Sequence, residues 1–232
     1  MKEKTAKELL KKVEKDYGQI AEDFDKTRKW LWPEFDFFKK YTKPNQTILD
    51  FGCGNGRLYE LFEDINYIGI DNNKNFIKIA QKNYPSAKFV FGNLIELPST
   101  YQADLIFSIA TFHHIPSVKL RKKSIQVLNQ NLKQDGVLIL TVWNLFQKKY
   151  FKYVLMAILR FIYTFGKYDW NDTFIPWGKS GIKRYYHAFT PNELKRLFKK
   201  SHFEIIDMFY TKKGNKVPFL LSHNICLICR KK

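Results

Sequence analysis

Ile48-Leu49-Asp50-Phe51-Gly52-Cys53-Gly54-Asn55-Gly56 decides the fold of this chain. A short apolar run, Ile48 to Phe51, leads directly into alternating glycines, and a helical segment from about Arg57 to Phe62 follows. A strand that hands over to a helix through such a turn places the turn at the carboxyl edge of a parallel sheet, where open α/β sheets bind ligands. Glycine lets the backbone approach a ligand closely and take conformations that a Cβ forbids. The spacing separates two ligand classes. A dinucleotide fingerprint, Gly-x-Gly-x-x-Gly, needs glycine at position 57. Arg57 stands there, and the third glycine, Gly56, comes one residue early.

Moving outward, strand and helix patterns alternate. Tyr67 to Asp71 is a second strand with a helix over Asn75 to Asn83; Lys88 to Phe91 is a third strand. Asp104 to Ile109 is a fourth, Val118 to Leu132 a helix, and Gly136 to Val142 a fifth strand. This alternation predicts a mostly parallel sheet with helices on both faces. Ahead of it, Leu9, Leu10, Val13, Tyr17, Ile20 and Phe24 recur at helical spacing over 5–24, and Pro33 suits the first turn of a helix over 33–41. Beyond Trp143 the alternation breaks into an aromatic, basic stretch, then a helix over Pro191 to Lys200 and two β-rich runs, 203–210 and 222–230, that suit an antiparallel edge pair. The chain is therefore expected to be one domain over 1–232, with N-terminal helices (1–45), a ligand-binding core (46–143), an inserted substrate region (144–189) and a C-terminal helix with edge strands (190–232). Apolar helices inserted like Tyr150 to Phe161 usually complete a core; covering the site, binding a partner or lying on a membrane surface are the alternatives.

The net charge of +18 is unevenly placed: residues 144–232 carry 18 Lys/Arg against 5 Asp/Glu. Such a surplus concentrates polyanions such as RNA, although a lysine-rich genome is the plain alternative. Three cysteines cannot build a disulfide framework and suit a reducing compartment. Cys226 and Cys229 form a lone CxxC inside an alternating β run, so no metal site is expected. The N-terminus has no apolar signal core, and the most apolar stretch, 153–165, is broken by Arg160 and falls short of the ~20 residues that span a bilayer. A cytoplasmic location is expected, without membrane contact.

Asp50-x-Gly52-x-Gly54-x-Gly56 resembles the glycine motif of class I S-adenosylmethionine-dependent methyltransferases. That resemblance implies a Rossmann-like α/β fold with a seven-stranded sheet and an antiparallel edge strand, and S-adenosyl-L-methionine as cofactor, leaving as S-adenosyl-L-homocysteine. Asp50 carries the charge suited to the cofactor's cationic ammonium, near Gly52, Cys53, Gly54 and Gly56. Asp71, with Asn72 beside it, ends the second strand and can accept from both ribose hydroxyls. Asn93 and Leu94 follow the third strand, where the family places an acidic residue near the adenine amino group; the Asn93 oxygen accepts without the charge. Ile109 ends the fourth strand on the same edge.

Further stretches are similar to the tRNA wobble-uridine methyltransferases, which convert 5-carboxymethyluridine into its methyl ester. They are Thr27-Arg28-Lys29-Trp30-Leu31-Trp32-Pro33, Ser108-Ile109-Ala110 with His113-His114, Phe174-Ile175-Pro176-Trp177 and Arg184-Tyr185-Tyr186-His187-Ala188-Phe189. The similarity runs from about Tyr17 to Phe198; residues 144–168 and the last 25 or so depart from it. It implies tRNA as partner and, as in eukaryotic members, a small zinc-binding activator protein. A carboxylate, ionised above about pH 4, needs positioning rather than a general base. Arg28 and Arg184 are the expected carboxylate-positioning residues, with His187 as a donor and Tyr185 or Tyr186, beside Trp177, against the base. At least one of His113, as a catalytic residue, and His114, as a substrate contact, is expected at the acceptor; the alternative is that one caps the next helix while the other packs. The plainer alternative makes Tyr185, Tyr186 and Phe189 core residues and Arg184 an ion-pair partner. The rivals in function are a methyltransferase for a small, lipid-like or carboxylate metabolite, and a binding protein that keeps the fold without catalysis.

Overall fold

In a computed structural model, which describes residues 1–232, the alternating patterns close into one eight-stranded sheet. Its parallel half comprises β1 (Thr47–Phe51), β2 (Asn66–Asp71), β3 (Lys88–Phe91), β4 (Ala103–Ile109) and β5 (Leu132–Trp143). The helices α1 (Glu3–Thr27), α2 (Asp36–Lys39), α3 (Lys74–Asn83) and α4 (Val118–Asn131) belong to the same stretch of chain. After β5 come α5 (Phe151–Tyr163), a separate hairpin of β6 (Asp172–Pro176) and β7 (Lys183–His187), and α6 (Pro191–Lys199). The chain closes with β8 (Phe203–Lys212), β9 (Asn215–Lys216) and β10 (Asn224–Lys231).

The strand order is β3-β2-β1-β4-β5-β10-β8-β9, with β10 antiparallel between β5 and β8. The α/β reading holds. The antiparallel part is larger than a single edge strand, because the 203–210 run turns through β9 to make a third antiparallel member. The order reverses between β1 and β4, which opens the crevice where ligands of such sheets bind.

Side-chain alternation sorts the strands onto two cores. Leu49, Phe51, Ile106, Leu138, Leu140 and Leu227 pack with α4 and α6 on one face. Ile48, Leu105, Phe107, Ile139, Cys226 and Ile228 pack with α3 and Phe35, Phe38 and Phe62 on the other. Cys226 and Cys229 belong to opposite cores, so they cannot share one ion.

Three local expectations change. Arg57–Leu61 is a 3-10 turn rather than an α-helix. The stretch after Trp143 contains the β6–β7 hairpin, hidden from periodicity because both its strands are buried on both faces and so show no apolar–polar alternation. And α5 adds only a small part to the core. Only Val154 and Ala157 of it are buried, while Leu155, Met156, Leu159 and Ile162 are exposed. No helix is long and apolar enough to cross a membrane.

Candidate active site

One cavity runs along the carboxyl edge of β1, β2 and β4 under the roof of α1. At one end stands the glycine turn. Gly52 has φ 77, and a Cβ on it would lie 2.2 Å from the Thr111 Oγ1. Gly56 has φ 82, and a Cβ there would meet the Phe89 ring at 2.8 Å. Gly52, Cys53 and Gly54 line the cavity; Gly56 does not, but its left-handed turn leads into Arg57 and Leu58, which do.

Two carboxyls face this turn. Asp71 accepts from the Gly54 N–H (3.0 Å) and the Asn73 N–H (2.9 Å). Burial raises its pKa to about 6, against the pull of those backbone donors. Asp50 accepts from the Tyr67 hydroxyl at 2.7 Å. Burial, with the Asp71 charge adding, lifts it to about 7, while Tyr67 and Arg57 oppose. A buried carboxyl held so high is short of positive charge and hydrogen-bond donors. An ammonium facing Asp50 would supply the first and ribose hydroxyls facing Asp71 the second. Asn72, Asn93, Leu94 and Ile109 line the same end, and Ile95 and Ile115 add apolar walls. This donor set fits S-adenosylmethionine.

The other end is aromatic and cationic. The buried Arg184 guanidinium lies 4.5 Å from the Trp177 ring centre, 5.1 Å from Tyr186 and 5.7 Å from Trp143. It donates to the Tyr17 hydroxyl at 3.3 Å, its Nε has no partner, and no carboxylate forms an ion pair with it. Arg28 sits over Trp177 (5.4 Å) and Phe24 (5.9 Å). Trp177 donates from Nε1 to Asp23, which ties the hairpin to α1.

Both histidines of the 113–114 pair line the cavity and are held neutral. Burial pushes His113 well below its ordinary range, and His114 and Arg184 push the same way. Burial likewise takes His114 down to about 3. Neutral His114 donates from Nδ1 to the Tyr185 carbonyl (2.8 Å), so its Nε2 accepts from the Tyr17 hydroxyl (2.7 Å). Neutral His113 accepts the Trp143 N–H on Nδ1 (3.1 Å), which leaves its proton on Nε2.

The β7 run splits by strand alternation. Arg184 and Tyr186 line the cavity; Tyr185 and His187 do not. His187 is clamped between Asp172 (2.9 Å) and Glu193 (2.8 Å), and the Tyr185 hydroxyl donates to Asp172 (2.7 Å). The expectation that His187 donates to an acceptor and that Tyr185 stacks on a base is thus corrected. Tyr185 ties β7 to β6 and His187 ties the hairpin to α6, so the polar side-chain atoms of both are engaged behind the cavity.

Several lining residues escaped sequence reading. Tyr17, Val13 and Phe24 follow the helical stripe and read as core, yet they form the cavity roof. Trp143 ends β5 and reads as strand sequence. Arg57 was visible only as the residue that breaks a fingerprint, but it is buried, lines the cavity and stacks on Trp32 (4.8 Å). Burial and the Arg28 charge lower its pKa to about 10, with Asp50 opposing. The signal was its position directly after the glycine turn.

A family profile described as "Methyltransferase domain" matches residues 24–208. A tRNA (carboxymethyluridine(34)-5-O)-methyltransferase of Arabidopsis thaliana is 33% identical over 142 residues, 60% of this chain and 35% of its own. The protein of that name in Saccharomyces cerevisiae is 34% identical over 137 residues (58% and 49%), and that of Schizosaccharomyces pombe 26% over 212 (85% and 91%). The chain spans less than half the length of the first curated relatives it matches, from 22% to 49%. Among solved structures, an S-adenosylmethionine-dependent methyltransferase of Methanosarcina mazei superposes with a TM-score of 0.68 at 25% identity, over 84% of this chain and 96% of that one. The 1,6-didemethyltoxoflavin-N1-methyltransferase of Burkholderia thailandensis, solved with S-adenosylhomocysteine, shares the fold at TM-score 0.65 and 18% identity, over 95% and 88%. With the glycine cradle and the buried carboxyl pair already in place, these matches settle the family: the chain belongs to the methyltransferase-domain family, with the fold and cofactor cradle of the S-adenosylmethionine-dependent enzymes.

Proposed function

We propose that the chain is a cytoplasmic tRNA methyltransferase that esterifies the carboxylate of a 5-carboxymethyl uridine at the wobble position. The observation that carries this reading is Arg184: a buried cation ringed by aromatic faces, with no carboxylate paired to it. Buried charges are normally paired, because an isolated ion loses its hydration. An anionic acceptor supplies the missing partner. The names of the relatives support the same substrate class.

S-adenosylmethionine supplies an electrophilic methyl group. The acceptor carboxylate is already ionised near neutral pH, so no residue has to remove a proton. Arg184 holds one or both carboxylate oxygens, with Arg28 completing the positive field at the mouth. The His113 Nε2–H is a further donor, and neutral His114 fixes Tyr17, which in turn steers the Arg184 guanidinium. Tyr186 and Trp177 offer ring faces to a base taken out of its stack. The roof of α1 limits water in the cavity, while Arg184 and its aromatic neighbours align the oxygen for in-line attack. By the same family resemblance, a small zinc-binding protein belongs to this reading as an activator.

The test is methyl transfer from radiolabelled cofactor to a mixture of total tRNA and small-molecule extract, run with and without such an activator. Label in tRNA that mild alkali releases as methanol is the expected result. Alkali-stable label in tRNA would overturn the ester. Label confined to the small-molecule fraction would replace tRNA by a metabolite.

A further inference from the structure

We propose that a groove beside the cavity binds the single-stranded RNA that flanks the target nucleotide; this rests on the tRNA reading above and extends it to residues outside the reaction site. The groove is continuous with the cavity, since Arg28, Trp32, Arg57 and Trp143 line both. An RNA strand whose base enters the cavity must leave along such a path.

The chemistry of the walls selects the ligand. Tyr186 in the cavity stacks on Trp143 (5.2 Å, 15°), and Trp143 stacks on Tyr150 in the groove (5.9 Å, 21°). This wall of near-parallel rings leads outward from the acceptor site. Across from it, Trp30 is 84% exposed, so its ring face is open to a stacking base. Lys149 and Lys213 add positive charge, and the one acidic lining residue, Glu34, is buried. Partial burial and the charges of Lys212, Lys213 and Lys149 hold His223 below its ordinary pKa, so the positive field reaches that side too.

Alternating cations and aromatic faces suit a single strand, whose bases are free to stack while its phosphates meet lysines. A duplex hides its base faces and would use only the charges. The groove is also braced. Arg57 donates to the carbonyls of Arg28 and Trp30 (3.4 Å each), and Asn55 to that of Arg28 (3.2 Å). The turn that cradles the cofactor therefore holds the loop that carries Trp30.

The experiment is fluorescence-anisotropy binding of a labelled anticodon stem-loop RNA to the full chain over a series of salt concentrations. Trp30→Ala should weaken binding about tenfold, the loss of one base–aromatic stack. Lys149→Gln with Lys213→Gln should reduce the salt slope by about 1.4, two phosphate contacts on a single strand. Lys122→Gln with Lys123→Gln, exposed on α4 away from the groove, removes the same charge and should change neither by more than about a third of that. Equal losses from both lysine pairs, or full binding by Trp30→Ala, would overturn the groove, as would a wild-type chain that binds no RNA at low salt. Ester formation on tRNA with groove variants that bind normally would sink the groove alone. Groove-dependent binding without ester formation would sink the acceptor assignment alone.

Discussion

The two ends of the cavity are assembled in different ways. The cofactor end is nearly contiguous in sequence: the turn after β1, Asp71 at the end of β2, Asn93 after β3 and Ile109 at the end of β4. Each is delivered by a strand end, so the residues arrive in order. The proposed acceptor end gathers Tyr17 from α1, Arg28 from the loop beyond it, His113 and His114 after β4, Trp143 from β5, and Trp177 and Arg184 from the inserted hairpin. No local rule joins these. The cofactor end answers to backbone conformation and the acceptor end to packing, so variants should separate them.

The largest separation is expected from Arg184→Ala against Asp71→Ala. Removing the Arg184 guanidinium should lower kcat/KM for methyl transfer by about a thousandfold, the upper range for loss of one charge-stabilising donor. Binding of S-adenosylhomocysteine by calorimetry should stay within about twofold, since that is below the worth of a single hydrogen bond. Asp71→Ala should do the reverse, weakening S-adenosylhomocysteine about thirtyfold through lost charged hydrogen bonds. Parallel losses in both variants would erase the distinction between the two ends.

A smaller effect tests the back of the hairpin. Asp172→Ala leaves His187 and the Tyr185 hydroxyl without their shared acceptor. Breaking such a buried pair costs about 3 kcal/mol, which for a chain of this size is a fall in melting temperature of about 6–12 °C. Because β7 carries Arg184 on its other face, transfer should fall while S-adenosylhomocysteine affinity holds. An unchanged melting curve would remove the anchoring role.

The smallest effect is a pH dependence at the cofactor end. The Asp50 carboxyl, raised to about 7 in the free protein, holds a proton below that pH. An ammonium opposite it favours the ionised form, so binding releases the proton. S-adenosylhomocysteine affinity should therefore rise with pH below 7, by at most about tenfold per unit, and level off above it. Calorimetry in two buffers of different ionisation heat reads the released proton directly. Affinity that is flat across this range would mean that Asp50 does not face the ammonium.

The glycine turn of residues 48–56, read with the strand–helix alternation out to Val142, determined the sheet, the crevice and the ligand class, because glycine spacing and strand periodicity are local properties of the backbone. The same holds for Asp71, which falls at a strand end, and for the β character of the CxxC run. Tertiary structure decided the rest. Arg184, Tyr185, Tyr186 and His187 are adjacent letters, but which pair lines the cavity depends on how the β6–β7 hairpin packs against α1 and α6. The pleat then sends alternate side chains to opposite sides, two into the cavity and two into a clamp. Tyr17 reads as an ordinary member of an apolar stripe, and only the docking of α1 over the sheet edge makes it a link between His114 and Arg184. Periodicity reports that a face is covered; what covers it is a contact between distant parts of the chain.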